Sequence, residues 1–284
     1  MSQTSGGPRV SVVVPTYQNA EVIEATMESI LGQTFADFEL LVSDHCSTDG
    51  TWERLQRFAA DPRVTLWQTP TGGGAPANWT AVTERATGEL VKLVCGDDLV
   101  YPSCLQEQVA AFDAHPEATL VCARRDIVDA RGEIVVGGRG MTRIHGVHPG
   151  RDAIRRAVLS GTNIFGEPAS VLLRRSTLID SGGWWGDFPY AIDVATYCRV
   201  LLRGDLVALE PSLAAFRVSD GQWSVELAGE QAAQVVAFHE ALAELAPGLL
   251  SRADLWRGRT MARALGRARR LVYLALRRRM SAGG

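Results

Sequence analysis

Short runs of β-branched and aliphatic residues, each closed by polar or turn-forming residues, alternate along the chain with stretches whose apolar positions recur every three or four residues. Val10-Ser-Val-Val-Val14 is closed by Pro15 and predicts a first strand. Asn19 suits a helix cap, Glu21 and Glu24 suit the positive first turn, and Ile23, Met27, Ile30 and Leu31 form one apolar stripe. Further strands are expected at Phe38–Val42, Val64–Trp67, Gly88–Asp98 and Thr119–Ala123. Helices are expected at Thr51–Phe58, from Pro76 to about Ala86, and at Pro102–His115. This β-α-β-α-β-α-β order predicts a mostly parallel sheet with helices on both faces.

After about residue 125 the pattern loosens. A hairpin strand is expected at Glu133–Val136, a helix at Arg151–Leu159, a strand at Ala169–Leu173 and a helix at Ile192–Arg203. Short strands follow at Val207–Leu209 and Ala214–Val218. This half is expected to complete the same sheet and form one wall of a cleft. The expected organisation is a flexible segment 1–8, a domain at 9–224 with halves meeting near 124, and a C-terminal helical extension at 225–284.

The 284 residues are 46% hydrophobic and 21% charged, as in ordinary globular proteins. No apolar run approaches the roughly 18 residues that span a bilayer, and the polar N-terminus does not resemble a signal peptide. Cys46, Cys95, Cys104, Cys122 and Cys198 are scattered and odd in number. Neither a disulfide framework nor a zinc site is indicated, and a cytoplasmic setting is expected. Charge is unevenly spread: from Ser251 onward ten arginines face one acid, +9, which leaves −12 for the preceding residues of a chain of net −3. A basic tail on an acidic body suggests a partner of its own.

The expected chemistry lies at the strand ends. The Gly88–Asp98 run finishes in two adjacent carboxylates, Asp97 and Asp98. Two desolvated anions repel, and a divalent cation with oxygen ligands is a common remedy. In open α/β sheets ligands bind at the C-terminal strand tips, where the topology gathers Thr16, Tyr17, Asp44, Asp49, Asp97 and Asp98. A solvated turn before Pro102 remains the plain alternative for the Asp-Asp pair. No Gly-x-Gly-x-x-Gly follows the first strand and no Gly-Lys-Ser/Thr occurs, which argues against Rossmann and P-loop sites. Gly72-Gly-Gly74 lacks a lysine and reads as a loop.

Several blocks together resemble the family 2 glycosyltransferases. They are Val10-Ser-Val-Val-Val-Pro-Thr-Tyr-Gln-Asn19, Ser29-Ile-Leu-x-Gln-Thr34, Asp44-His-Cys-Ser-Thr-Asp-Gly-Thr51, and Ala86-Thr-Gly-Glu89 ahead of Asp97-Asp98. Gly166-Glu-Pro168, Gly182-Gly183, Asp193 and Arg217 are similar to later blocks, so the resemblance covers roughly residues 10 to 224. It implies an α/β fold of the GT-A type and an inverting transfer from a nucleotide-sugar, UDP- or dTDP-linked, to a hydroxyl acceptor in cell-surface glycan or glycoconjugate synthesis. It also implies Mg²⁺ or Mn²⁺ at Asp97 and Asp98, neutralising the departing diphosphate.

By the same resemblance Pro15, Thr16 and Tyr17 hold the nucleoside, Asp44 accepts from a base N–H, and Asn78, Lys92 and Arg217 complete the donor site. Asp193 matches the family's catalytic base, although a residue opening an apolar helix also suits an N-cap. Glu167, Trp185 and Trp223 are expected on the acceptor side, Glu167 binding hydroxyls and the tryptophans stacking on sugar rings or serving as partial core; Trp184 carries the same pair of readings. The chain departs from the family at two points. Cys95-Gly96-Asp97 replaces the usual Asp-x-Asp, and Ser219 stands where the family often has a histidine. Both predict a thinner metal site, since a thiol is a poor ligand for a hard cation.

Arg259, Arg263, Arg267 and Arg270 recur at helical spacing, with Met261, Ala264, Leu265, Ala268, Leu271, Val272 and Leu276 on the other side. Such a helix can lie on an anionic membrane surface, which would suit a lipid-linked acceptor, or pack on the domain, or join a homo-oligomer. An acidic body without a recognised binding motif argues against nucleic acid. Two enzyme alternatives are a nucleotidyltransferase and a transferase acting on a soluble small molecule. A third alternative, from another class, is a catalytically silent sugar-nucleotide-binding scaffold.

Overall fold

The computed structural model describes residues 7–141, 144–218 and 230–280, the last of these with side chains to residue 268. Ten strands among the described residues form one sheet in the order β3-β2-β1-β4-β9-β6-β10-β5, with β7 paired to β6 and β8 to β10. β1 (Val10–Thr16) runs parallel to both β2 (Phe38–Asp44) and β4 (Leu90–Leu93), and β2 runs parallel to β3 (Val64–Gln68). β9 (Val171–Arg174) is antiparallel to β4 and to β6 (Ala118–Val128), and β6 is parallel to β10 (Asp205–Arg217). The second half therefore extends the sheet begun by the first.

Period-two alternation divides the sheet between two apolar layers. Val10, Val12, Val14, Leu40, Val42, Leu90 and Val94 face α1 (Ile23–Leu31), α2 (Thr51–Leu55) and α4 (Cys104–Ala114). Val13, Leu41, Val91 and Leu93 face α3 (Gly74–Thr83), α5 (Gly150–Ser160), α7 (Ile192–Leu201) and α8 (Gln231–Leu245). The remaining helices are α6 (Arg175–Asp180) and α9 (Arg252–Met280). A fully buried strand side chain on either face contributes about 1.5–3 kcal/mol, so this double layer fixes the strand register.

Local outcomes differ from expectation where a polar residue changes the ladder. The fourth strand stops at Leu93; Asp97 and Asp98 lie in the turn beyond it, and Leu99–Val100 form β5, antiparallel to β10. The two short late strands are one, because β10 takes Glu210 and Pro211 as a bulge between Leu209 and Ser212. Ala169 belongs to a single 3-10 turn, Pro168–Ser170. Asn19 caps α1 through its backbone carbonyl; its side chain turns to Thr16 and Tyr17. The 133–136 hairpin forms as β7 (Ile134–Arg139) against β6, and β8 (Gly146–His148) covers β10.

The long last helix is anchored at its start. The Ser251 hydroxyl accepts from Asp254 N–H at 3.1 Å, while the Asp254 carboxylate accepts from Ser251 N–H at 3.1 Å, a reciprocal capping box. Asp254 also takes a bidentate pair from Arg155 of α5, which holds its carboxyl well below the usual range. The packed edge then runs through Gly258, Ala262 and Gly266. Met261, Ala264 and Ala268 are exposed, so the side that packs is the one carrying glycine and alanine at 258, 262 and 266, which admit close approach. Arg259, Arg263 and Arg267 face outward beside a 71% exposed Trp256; the Arg270 side chain lies outside the described residues. No helix among the described residues is long and apolar enough to cross a membrane.

Candidate active site

The strand order reverses at β1, whose neighbours β2 and β4 leave a crevice at their C-terminal tips. β1 and β4 approach closely there. Gly96 N–H donates to Pro15 O at 3.2 Å, and a Cβ on Gly96 would lie 2.4 Å from Thr16 Oγ1. Only glycine fits between Cys95 and Asp97 without parting the strands. Beside this contact Tyr17 is 55% exposed, with His45 edge-on at 6.2 Å between ring centroids.

The neighbouring polar side chains build the rim. Thr16 is buried and its hydroxyl donates to Asn19 Oδ1 at 2.9 Å. Asp44 is fully buried; it accepts from Ser47 N–H and hydroxyl and from Gln68 Nε2 at 2.9 Å. Asn78 of α3 accepts from Ser43 Oγ at 2.7 Å and donates to the carbonyls of Thr16 and Ser43. Asn78 thus ties α3 to β1 and β2, Asp44 holds its own turn and β3, and Thr16 holds the loop after β1, while Tyr17 beside them is exposed. Asp49 accepts from Ala20 N–H and from Thr51, at the start of α2, where capping was one expectation.

Two further donor-site candidates are buried and engaged by protein groups. Lys92 falls on the α4 face of β4 by strand alternation, buried inside the sheet layer, with its ammonium donating to Gln108 Oε1 at 3.0 Å and Val171 O at 3.3 Å. Burial pushes its pKa down. Arg217, expected at the diphosphate, is also buried. Its Nε donates to Asp97 O at 2.9 Å and its Nη1 to the carbonyls of Asp129 and Ala130. It binds two turns to each other at the end of β10.

Cys95, Asp97 and Asp98 place one potential ligand atom each within 4.8 Å of one another. Asp98 is fully buried; one oxygen accepts from Arg217 N–H at 3.1 Å, and Oδ2 has no hydrogen-bond partner. Burial, then the adjacent Asp97 charge, raises the Asp98 pKa well above its ordinary value. An orphaned carboxylate oxygen beside a second carboxylate is the donor set a hard divalent cation takes. The thiol is the poorer ligand of the three for a hard cation, and burial, followed by the charges of Asp98, Asp97, Asp193 and Glu167, pushes its pKa well up. Cys95 is thus within electrostatic reach of four acids from three segments of the chain.

The other two acids, from the second half of the chain, form a second wall within electrostatic reach of Cys95. Glu167, in a turn that requires Gly166 at φ +104, is paired bidentately with the buried Arg125 of β6, through Nε to Oε2 and Nη2 to Oε1 at 2.9 Å. Desolvation pushes Glu167 up, but the Arg125 charge and hydrogen bonds outweigh it and hold the carboxyl below the usual range. Asp193 lies in the first turn of α7, two residues past the N-cap, Ala191. It accepts from Val194 N–H at 2.6 Å and from Asn163 Nδ2 at 2.7 Å. Burial raises it to about 7, with Glu167 adding to the rise. Arg125 and Asn163 escaped the sequence reading; the only local signal was that Asn163 stands three residues before Gly166-Glu-Pro168.

Trp184 is buried, edge-on to Trp79 at 5.0 Å, and donates to Thr83 Oγ1, so it is core. Trp185 is half-buried against Phe188 and Phe238 with Arg199 over its ring, and it lines a surface cavity of about 400 Å³ with Asp187 and Leu245. Ser219 and Trp223 lie outside the described residues.

The family model for glycosyl transferase family 2 matches residues 11–181. Mycobacterium tuberculosis protein MT1568 is 30% identical over 201 residues, 69% of this chain and 63% of its own length. Poly(ribitol-phosphate) beta-N-acetylglucosaminyltransferase TarS of Staphylococcus aureus is 31% identical over 127 residues, 44% of this chain and 22% of TarS. The chain thus spans less than two thirds of the length of these curated relatives. Among solved structures, the mannosyltransferase PcManGT of Pyrobaculum calidifontis with GDP-Man and Mn²⁺ superposes with a TM-score of 0.67 at 21% identity, covering 99% of this chain and 77% of that one. TarS residues 1–349 with UDP-GlcNAc gives 0.65 at 21% identity, covering 87% and 69%. These likenesses fix the fold as GT-A, and the family match over more than half of the sequence makes this chain a member of glycosyl transferase family 2.

Proposed function

We propose that this protein is an inverting glycosyltransferase that moves a sugar from a UDP- or dTDP-linked donor to a hydroxyl acceptor in surface glycan or glycoconjugate synthesis. One observation carries the reading: an acidic pair at the sheet rim with an orphaned oxygen, and an aspartate raised to about 7, both within electrostatic reach of Cys95. The likeness to structures whose titles name UDP-GlcNAc and GDP-Man with Mn²⁺ supports a nucleotide-sugar donor over other phosphate ligands.

In this mechanism Tyr17 covers the base beside the β1 tip. Asp97 and Asp98 would hold Mg²⁺ or Mn²⁺, which when bound neutralises charge on the diphosphate leaving group. Asp193, ionised, accepts the proton of the acceptor hydroxyl. That oxygen forms its bond to the anomeric carbon from the face opposite the diphosphate as the old glycosidic bond breaks, so configuration inverts. Glu167, kept ionised by Arg125, accepts hydrogen bonds from sugar or acceptor hydroxyls. A silent binding scaffold is the second reading, favoured by Cys95, a poor ligand for a hard cation, beside the acidic pair.

We further place the protein at the cytoplasmic side of an anionic membrane, approached through Arg263 and Arg267, whose outward face suits lipid phosphates. A melting-temperature screen of nucleotide sugars with and without Mn²⁺ identifies the donor, because ligands of the folded state raise it. Transfer assays with the best donor then compare wild type with Asp193→Asn. Loss of transfer with retained donor binding supports the base role; equal turnover overturns it, and binding without turnover by wild type favours the scaffold.

A further inference from the structure

Asn163 uses every hydrogen-bonding position of its side chain. Oδ1 accepts from Phe165 N–H at 2.9 Å and from Gly166 N–H at 3.1 Å. Nδ2 donates to Gly166 O at 2.8 Å and to Asp193 Oδ2 at 2.7 Å. Two backbone donors on one side require the amide oxygen there, so the amide cannot flip, and a donor must face Asp193. The residue joins two segments thirty positions apart: the 163–168 turn bearing Glu167, and the first turn of α7.

We propose that Asn163 is the positioning residue of this site, its amide tying the Asp193 carboxylate to the Gly166–Pro168 turn so that the two acids of that wall move as one unit. The proposal rests on the base role given to Asp193 above. Its physical content is a division of labour within one side chain. The oxygen shapes the turn, and the nitrogen orients the carboxylate and favours its ionised form. Asp193 needs that help. The groups acting on it are Glu167 in the turn, Arg125 of β6, the Cys95 thiol beyond β4, and Tyr197 and Cys198 on its own helix. Only Arg125 among them is cationic, and Glu167 takes its guanidinium. The Asn163 and Val194 donors supply the remaining stabilisation of the anion.

Two variants separate the roles. Asn163→Asp keeps an acceptor for the Phe165 and Gly166 amides but turns an anion toward Asp193; Asn163→Ala removes both functions. The readout is ligand-free: carbon NMR titration of ¹³C-aspartate-labelled full-length protein, with the Asp193 signal assigned as the one missing from Asp193→Asn. Asn163→Ala is expected to move that titration upward by about one pH unit, and Asn163→Asp further still. A residue that only shapes the turn predicts the reverse ranking, with Asn163→Asp close to wild type in both titration and melting temperature. Unmoved titration in a folded Asn163→Ala overturns the proposal. That failure is distinct from failure of the base role, which the transfer assay with Asp193→Asn reads separately.

Discussion

Arg125 and Glu167 grip each other face to face, both guanidinium edge nitrogens on both carboxylate oxygens, with the arginine 3% exposed. An ion pair so placed is weak evidence for stability as such, because desolvation consumes much of the attraction. Removing one partner is another matter. Arg125→Ala strands the carboxylate and should cost about 3 kcal/mol in urea unfolding. Arg125→Ala combined with Glu167→Ala should be less destabilised than the two single changes added together, a coupling that a double-mutant cycle measures.

Asp193 makes stability and activity run in opposite directions with pH. Burial raises its folded pKa to about 7, from the ordinary 3.8 of a free aspartate. The favourable contribution of the neutral acid is therefore complete below about pH 4 and is lost as pH climbs through about 7. Asp193→Asn should match wild type in unfolding free energy below about pH 4 and exceed it at pH 8, by about 2 kcal/mol once partial exposure is allowed for. Transfer, which needs the ionised base, should rise over the same interval.

Gly96 is the narrowest point of the rim. Gly96→Ala places a methyl within 2.4 Å of Thr16 Oγ1 and 2.9 Å of Asn19 Oδ1. The expected loss is about 2 kcal/mol of stability. Donor-induced melting shifts should fall with it, since the β1 and β4 tips must part.

Asp98→Asn tests the acidic pair without reference to turnover. Neutralising a buried, partnerless oxygen should raise the metal-free melting temperature at pH 8, while abolishing the rise that Mn²⁺ gives wild type. A variant that still responds to Mn²⁺ as wild type does would remove Asp98 from the ligand set.

Much of the fold could be read from periodicity, because β1, β2 and β4 alternate cleanly between two apolar layers. The misreadings cluster where a residue type carries two meanings. Pro211 signals a break, yet a bulge absorbs it within β10. Lys92 signals solvent or ligand, yet Gln108 and a carbonyl satisfy it inside the layer. At the site, motif order located Asp97, Asp98, Glu167 and Asp193, since their chemistry is local in sequence. Arg125 and Asn163 were invisible because their partners stand 42 and 30 residues away. How Thr16, Asp44 and Asn78 are engaged was equally hidden, being decided by side-chain hydrogen bonds to the loop after β1, to β3 and to β2.

The capping box at Ser251 and Asp254 has a mechanical result. Because Asp254 closes the first turn of α9 and also grips Arg155, that helix leaves the body at a bearing set by α5, and Ala262 and Gly266 keep it there for several turns. Its arginines ride on a stiff boom. Any charged sheet they rest against meets the whole catalytic body at one fixed tilt, so the mouth of the cleft has a built-in heading.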